Sequence, residues 1–194
     1  MRHRRVLIIG AGGIGSYLIP ILNRLGVYSI TAFDPDKVEQ KNLRYQNFSA
    51  NDLGEHKVYC FTSDMGGMYE AQPYVVLTQK QLQGYDLVVC CADNLAVRRL
   101  LYKQGHGEDA PVKWLDLRAQ GRNAALISYK VPENFQDTLL AGPEGSFSCQ
   151  GGDWDGSGEE VNCMHMLIAG YASQWIQKWF NDNSNVVDKV VLNV

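Results

Sequence analysis

The feature that most constrains this chain is a continuous apolar run, Val6-Leu7-Ile8-Ile9, that stops at Gly10-Ala11-Gly12-Gly13-Ile14-Gly15. Ile14, Leu18, Ile21, Leu22 and Leu25 then recur at helical spacing until Gly26. An apolar run without alternation fits a strand buried on both faces, and such a strand needs helices above and below it. Pro20 inside the helical stretch predicts a bend or local break. Further strands are expected at residues 29–33, 75–78, 86–91, 114–117, 124–131 and 186–194. Helices are expected at residues 55–65, 95–103 and 161–180. Strands separated by helices predict an α/β chain with a mostly parallel sheet, and the last strands, with no helix between most of them, predict an antiparallel edge.

Composition narrows the function. The 194 residues carry 18 Lys plus Arg and 21 Asp plus Glu, a net charge of −3, with no basic run beyond Arg2 to Arg5. That argues against a nucleic-acid partner, and Arg2, Arg4 and Arg5 read as a solvated basic start. No apolar stretch approaches the ~20 residues of a membrane span, and no secretory signal is expected. The five cysteines, two of them adjacent at Cys90 and Cys91, read as free thiols in a reducing, cytoplasmic setting rather than a disulfide framework. One domain spanning residues 1–194 is expected, with a mobile Gly/Ser/Asp-rich loop at residues 142–158.

The glycine turn joins the first strand to the first helix. Glycines there permit a tight turn and a close approach of phosphate oxygens to the backbone, and the helix N-terminus adds N–H donors and positive potential. Asp34 ends the second strand, nineteen residues after Gly15, where an acid meets a ribose hydroxyl in nucleotide-binding sheets. Together these point to an adenine nucleotide without choosing which one.

Four segments in order choose it. They are Gly10-Ala11-Gly12-Gly13-Ile14-Gly15-Ser16; Asp34-Pro35-Asp36-Lys37-Val38-Glu39 with Asn42-Leu43-Arg44-Tyr45-Gln46; Asp52-Leu53-Gly54-Glu55-His56-Lys57; and Asp93-Asn94 with Arg98. In this order and spacing they resemble the ThiF/MoeB family of ubiquitin-activating-enzyme-like adenylyltransferases. The resemblance implies a Rossmann-like α/β fold with helices on both faces and an antiparallel edge. It implies binding of ATP with Mg²⁺, adenylation of the C-terminal carboxylate of a small ubiquitin-like or sulfur-carrier protein, release of pyrophosphate, and a homodimer. Carried over by position, Arg44, Lys57 and Asp93 are catalytic, with Asp93 on the metal. Gly10, Gly12, Gly13, Gly15, Ser16, Asp34, Asp36, Asn42, Gln46, Asn94 and Arg98 bind the nucleotide. Asp93 can also serve as the cap of the helix that follows it.

This sequence departs from the family in two places. The family's Arg directly precedes the Gln, whereas here Tyr45 holds that place and Arg44 lies one step earlier. The two CxxC pairs of many relatives are missing, so no zinc is expected. Cys60, Cys90 and Cys91 read as buried, inert thiols. By resemblance the loop residue Cys149 accepts the activated acyl group, its loop closing over the nucleotide from a state that is either disordered or far from the phosphates. Cys163, at the start of the long helix, is the alternative. A weakly catalytic binding module of the same fold and, less favoured, a nicotinamide-dependent oxidoreductase are the rival functions.

Overall fold

The computed structural model describes residues 4–62, 67–135, 149–150, 157, 160–182 and 185–194. Seven strands form one sheet: β1 (Arg4–Ile9), β2 (Tyr28–Phe33), β3 (Met68–Gln72), β4 (Leu87–Cys90), β5 (Trp114–Gln120), β6 (Asn123–Ser128) and β7 (Lys189–Asn193). Their order is β3-β2-β1-β4-β5-β6-β7. The first five run parallel, and β6 and β7 are antiparallel. Among the described residues three α-helices accompany them: α1 (Gly15–Arg24), α2 (Leu95–Tyr102) and α3 (Met164–Asn181).

The β1-α1-β2 and β4-α2-β5 crossovers step in opposite directions across the sheet. Right-handed crossovers stepping opposite ways put α1 and α2 on opposite faces. The last helix, α3, packs on α1 and over β5 and β6. β1 and β4, covered on both sides, are buried from Val6 to Ile9 and from Leu87 to Cys90. α3 contributes fully buried Ile168, Ala169, Ala172 and Ile176, each large aliphatic worth roughly 1.5–3 kcal/mol. Trp175 and Trp179 stack at 6.3 Å within this layer, and their indole N–H groups donate to the Val187 carbonyl and the Tyr129 hydroxyl. These tryptophans are therefore core. α1 continues through Pro20 as one element.

Three expectations change. Of the helix expected at residues 55–65, residues 63–65 lie outside the described residues, and the rest is not α-helical: Lys57–Cys60 is a single 3₁₀ turn and Phe61 is extended. Lys57 and Val58 are its buried residues, and Phe61 just beyond it is buried too. Residues 75–78 are not a strand either. The strand on that side is Met68–Gln72, an edge strand whose residues are only half-covered. Val75 and Leu77 are exposed and Val76 is buried, so these apolar residues build a rim rather than a sheet. Finally, Arg4 and Arg5 are engaged rather than simply solvated. Arg4 lies over the Phe180 ring and donates to Asn181, and Arg5 lies over Tyr85. The 142–158 loop lies outside the described residues except for Cys149, Gln150 and Ser157.

Candidate active site

The chain steps outward from β1 through β2 to β3, then returns to β1's other side and steps away through β4 and β5. Ligands of open parallel sheets bind at the carboxyl ends of strands where the direction reverses. A cleft of about 360 Å³ opens there, within the usual size range for small-molecule sites. Gly10, Gly12, Gly13, Asp34, Asp36, Asn42, Gln46, Lys57, Asp93, Asn94 and Cys149 all line it. Gly15, Ser16, Arg44 and Arg98 do not line it.

The glycines divide by the space a side chain would need. Gly10 has φ +94° and would press a Cβ to 2.8 Å from the Ala92 backbone nitrogen, and a Cβ on Gly15 would lie 2.0 Å from the Gly10 carbonyl oxygen. Both therefore let β1, β4 and α1 approach. A Cβ on Gly13 would meet the Cys149 sulfur at 2.7 Å, while one on Gly12 would meet only the Gln46 amide at 3.7 Å. The cleared space at Gly13 thus holds a thiol, and Gly12 is the open position. Gly13→Ala is expected to lower stability by about 1–3 kcal/mol through overpacking. Cys149→Ala in the same chain should restore most of that loss, a non-additivity read from urea midpoints. Additive losses would refute the packing role.

Asp34 and Lys57 form the electrostatic centre. The Asp34 carboxylate accepts from the backbone N–H of Ala11 at 2.6 Å and of Asp36 at 2.8 Å, tying the glycine turn to the end of β2. Burial raises its pKa, against the downward pull of Lys57 and of those two N–H groups. The Lys57 ammonium is buried and meets Asp36 at 2.9 Å. Burial alone would lower its pKa, but the carboxylates of Asp34 and Asp36 outweigh that and raise it. Lys57 is therefore a fixed, charged ammonium in the cleft wall.

Other expected contacts resolve into supports. The Ser16 hydroxyl accepts from the Asn47 N–H at 3.0 Å, so Ser16 clamps the 45–47 segment onto α1. The Asn42 side chain accepts from the Glu39 N–H at 2.8 Å, closing the 3₁₀ turn Gln40–Arg44. Asn94, not Asp93, is the side-chain cap of α2, accepting from Ala96 N–H at 2.8 Å. Arg98 turns away from the cleft to Asp116, with Nε 3.0 Å from its carboxylate. Asp116 is fully buried and also holds Arg118 at 2.8 Å and the Tyr102 hydroxyl at 3.0 Å. A lone acid within the apolar run Trp114-Leu115-Asp116-Leu117 was the available signal, because a buried carboxylate needs a cation.

Cys149 is the main correction. It is at the glycine turn, not far from it, and its segment is fastened on two sides. Its carbonyl accepts from Gly121 N–H at 2.9 Å, and Gln150 exchanges hydrogen bonds of 2.8 and 2.9 Å with Asn162. Burial, then the charge of Asp93, pushes the thiol up to about 11. Cys149 therefore stands as a packed, protonated thiol. Cys163 is exposed at the N-cap of α3.

Tyr45 and His165 were missed. Tyr45 is buried in the cleft wall, and its hydroxyl accepts from the Gln46 amide at 2.9 Å. His165 stands edge-on to it at 5.9 Å and tilted against Tyr17 at 5.6 Å. Burial lowers the His165 pKa, with a smaller upward pull from the backbone of Tyr45 and Asn162, and neither ring nitrogen reaches a partner at hydrogen-bonding geometry among the described residues.

Comparisons with known proteins give the family and the fold. Adenylyltransferase and sulfurtransferase UBA4 of Yarrowia lipolytica is 34% identical over 109 residues, 52% of this chain and 28% of the relative. Ubiquitin-like modifier-activating enzyme 5 of Drosophila melanogaster is 28% identical over 118 residues, 50% of this chain and 29% of the relative. The chain thus spans under a third of the length of these curated relatives. In fold, Escherichia coli MccB with succinimide matches 98% of this chain and 60% of its own at TM-score 0.70 and 18% identity. PaaA matches 98% and 61% at TM-score 0.67 and 15% identity. The ThiF family pattern covers residues 1–186, and this chain belongs to the ThiF family.

Proposed function

We propose that this chain adenylates the C-terminal carboxylate of a small ubiquitin-like or sulfur-carrier protein. A carboxylate oxygen attacks the α-phosphorus of ATP, the bond from that phosphorus to the bridging oxygen breaks, and acyl-adenylate and pyrophosphate form. The observation that carries this reading is the convergence of four separated segments, at Gly10 to Gly13, Asp34 to Gln46, Lys57, and Asp93 to Asn94, on one cleft. The names of the two curated relatives support it.

The residues do the work of position and charge. Lys57 is held in place by two acids and supplies a fixed ammonium to the phosphates, a preorganised interaction that gains strength away from bulk water. Asp34 holds the glycine turn. Four carboxylates, Asp34, Asp36, Glu39 and Asp93, share the cleft wall with two ammonium groups, Lys41 and Lys57. A bare triphosphate is repelled by that balance, so the donor set fits a nucleotide that enters with Mg²⁺. Asp93, at the carboxyl end of β4, would hold the ion, which takes one or two carboxylates plus phosphate oxygens and neutralises phosphate charge.

ATP–pyrophosphate exchange, run with small ubiquitin-like and sulfur-carrier proteins, tests the reading. Exchange above background is expected, and Asp93→Asn should raise the Mg²⁺ concentration for half-maximal exchange by roughly tenfold while leaving the urea midpoint in place. No exchange with any carrier, or NADH binding in place of ATP, would overturn it. A non-catalytic binding module is the second reading, favoured by the position of Arg44 outside the cleft; it predicts nucleotide binding without exchange.

The packed thiol of Cys149 does not favour transfer to that residue, so we place acyl transfer, where it follows, at the exposed Cys163. Five free thiols support a cytoplasmic location. Exposed Ile21 on α1 and Leu25 at its C-cap, with exposed Leu167 and Tyr171 on α3, the helix packed against α1, support a homodimer. No described helix is long and apolar enough to cross a membrane.

A further inference from the structure

We propose that Asp116 is a positioning residue for Asp93: through Arg98 and Tyr102 it seats α2, and so fixes where the Asp93 carboxylate stands for the ion that enters with the nucleotide. The proposal rests on the adenylation reading, with Asp93 holding the ion. It adds a residue outside the cleft, since neither Asp116 nor Arg98 lines it.

Asp93 lies in a short corner between two elements. β4 ends at Cys90 and α2 begins at Leu95, so the corner is residues 91–94. Its sheet end is held: the Cys91 N–H donates to the Ile9 carbonyl at 2.7 Å, and Gly10 lies against the Ala92 backbone. Its other end moves with α2. The Asn94 side chain accepts from the Ala96 N–H, and the Asn94 carbonyl accepts from the Arg98 N–H at 3.2 Å. α2 has eight residues. A helix that short does not hold itself in water, so its seat on the sheet decides where it lies.

Asp116 supplies that seat. Arg98 and Tyr102 are four apart, on one face of α2, and both donate to the same carboxylate, Arg98 Nε at 3.0 Å and the Tyr102 hydroxyl at 3.0 Å. Asp116 is the register partner of Cys90, and Cys90 is three residues before Asp93. One fully buried side chain thus joins β5, beside the end of β4, to both turns of α2. Leu95, Val97 and Leu101 add apolar burial, which is non-directional, whereas hydrogen bonds fix direction as well as distance. A buried ion cluster adds little net stability over an apolar one of the same shape, so what this one contributes is geometry. Arg98 thereby serves the site without touching the nucleotide.

The test is calorimetric binding of ATP across a Mg²⁺ series to the wild type, Asp116→Asn, Asp93→Asn and the double variant, with a urea midpoint for each. Asp116→Asn keeps the shape and removes the charge. It is expected to raise the Mg²⁺ concentration for half-maximal ATP binding by roughly tenfold, the lower end of what losing support behind a metal ligand costs. In the Asp93→Asn background the same change should add less than about twofold, because its route to the ion is gone. Ile168→Val, a buried change in α3, should lower the urea midpoint and leave the Mg²⁺ requirement in place. If Asp116→Asn does not fold, Tyr102→Phe, which removes one of the two bonds to α2, carries the test with an expected shift of about threefold. A Mg²⁺ requirement unchanged in the folded variant, a full shift that persists in the Asp93→Asn background, an equal shift in Ile168→Val, or wild-type ATP binding that ignores Mg²⁺ would each overturn the proposal and leave the adenylation reading standing. A wild type that binds no ATP at any Mg²⁺ concentration would overturn both.

Discussion

Replacing Asp116 by alanine is expected to cost this protein about 3–5 kcal/mol, the scale for removing one partner of a buried ion pair. The carboxylate is fully buried between two guanidiniums, with Arg98 11% and Arg118 25% exposed. It accepts from Arg98 Nε at 3.0 Å, Arg118 Nε at 2.9 Å and the Tyr102 hydroxyl at 3.0 Å. Burial alone would lower the Arg98 pKa, and the Asp116 charge more than reverses this. Alanine leaves that guanidinium inside the protein facing a cavity. Total stability of a domain is roughly 5–15 kcal/mol, so a large share is at stake, and Tm should fall by about 10 °C. Asp116→Asn, which keeps shape and one acceptor, should lose less. Urea unfolding at constant slope measures both. A midpoint for Asp116→Ala that places it within 1 kcal/mol of wild type would show that the cluster contributes little. The site should feel the change too, because Arg98 ties α2 to β5 and α2 begins at Asn94, next to Asp93.

The legibility of this fold follows burial. β1 and β4 are covered on both faces, so their sequences are unbroken apolar runs that carry their own assignment. β3 is an edge strand of Met68-Tyr69-Glu70-Ala71-Gln72 with no apolar period, and the nearby apolar residues Val75 and Val76 compete for the assignment although they line the cleft. The stretch after Gly54 shows helix-like spacing, but His56 bridges to Lys37 and only one 3₁₀ turn follows.

The candidate site divides in the same way. Residues placed by local backbone, such as Gly10, Asp34 and Asn94, stand at the cleft where their spacing puts them, although Asn94 rather than Asp93 caps α2. Residues whose role depends on which way a turn faces do not. Arg44 and Tyr45 exchange places within one step of a 3₁₀ turn, where successive side chains differ by about 120°. A long arginine does not recover that rotation. Cys149 is misread for a related reason. Its neighbourhood is rich in glycine, serine and aspartate, but its anchors are Gly121 and Asn162, remote in sequence and invisible to a window. Arg98 carries the family spacing yet serves Asp116, 18 residues away, which is signalled by the apolar run around that acid and not by the motif around Arg98.

Lys57→Ala should reduce ATP–pyrophosphate exchange by roughly 100- to 1,000-fold, the range for losing one preorganised donor at a site of developing charge. The ammonium is nearly inaccessible and bonded to Asp36 at 2.9 Å, so no surface lysine substitutes for it. Lys57→Arg keeps the charge without the compact ammonium and should recover only part of the rate. The same variant makes a second, independent statement about stability. Burial already holds the folded-state pKa of Asp34 above its unfolded value, with Lys57 pulling it down. Removing Lys57 raises it further and leaves an ionised, buried carboxylate at neutral pH. Linkage fixes the sign: an acid with a raised folded pKa penalises the folded state above that pKa, and the penalty fades as pH falls through it. The stability gap between wild type and Lys57→Ala should therefore be widest near pH 7 and narrow as the pH is lowered through the Asp34 titration. Urea midpoints across that range measure the gap. A gap that widens towards acid, or exchange within threefold of wild type at neutral pH, would remove Lys57 from the centre of the cleft's electrostatics.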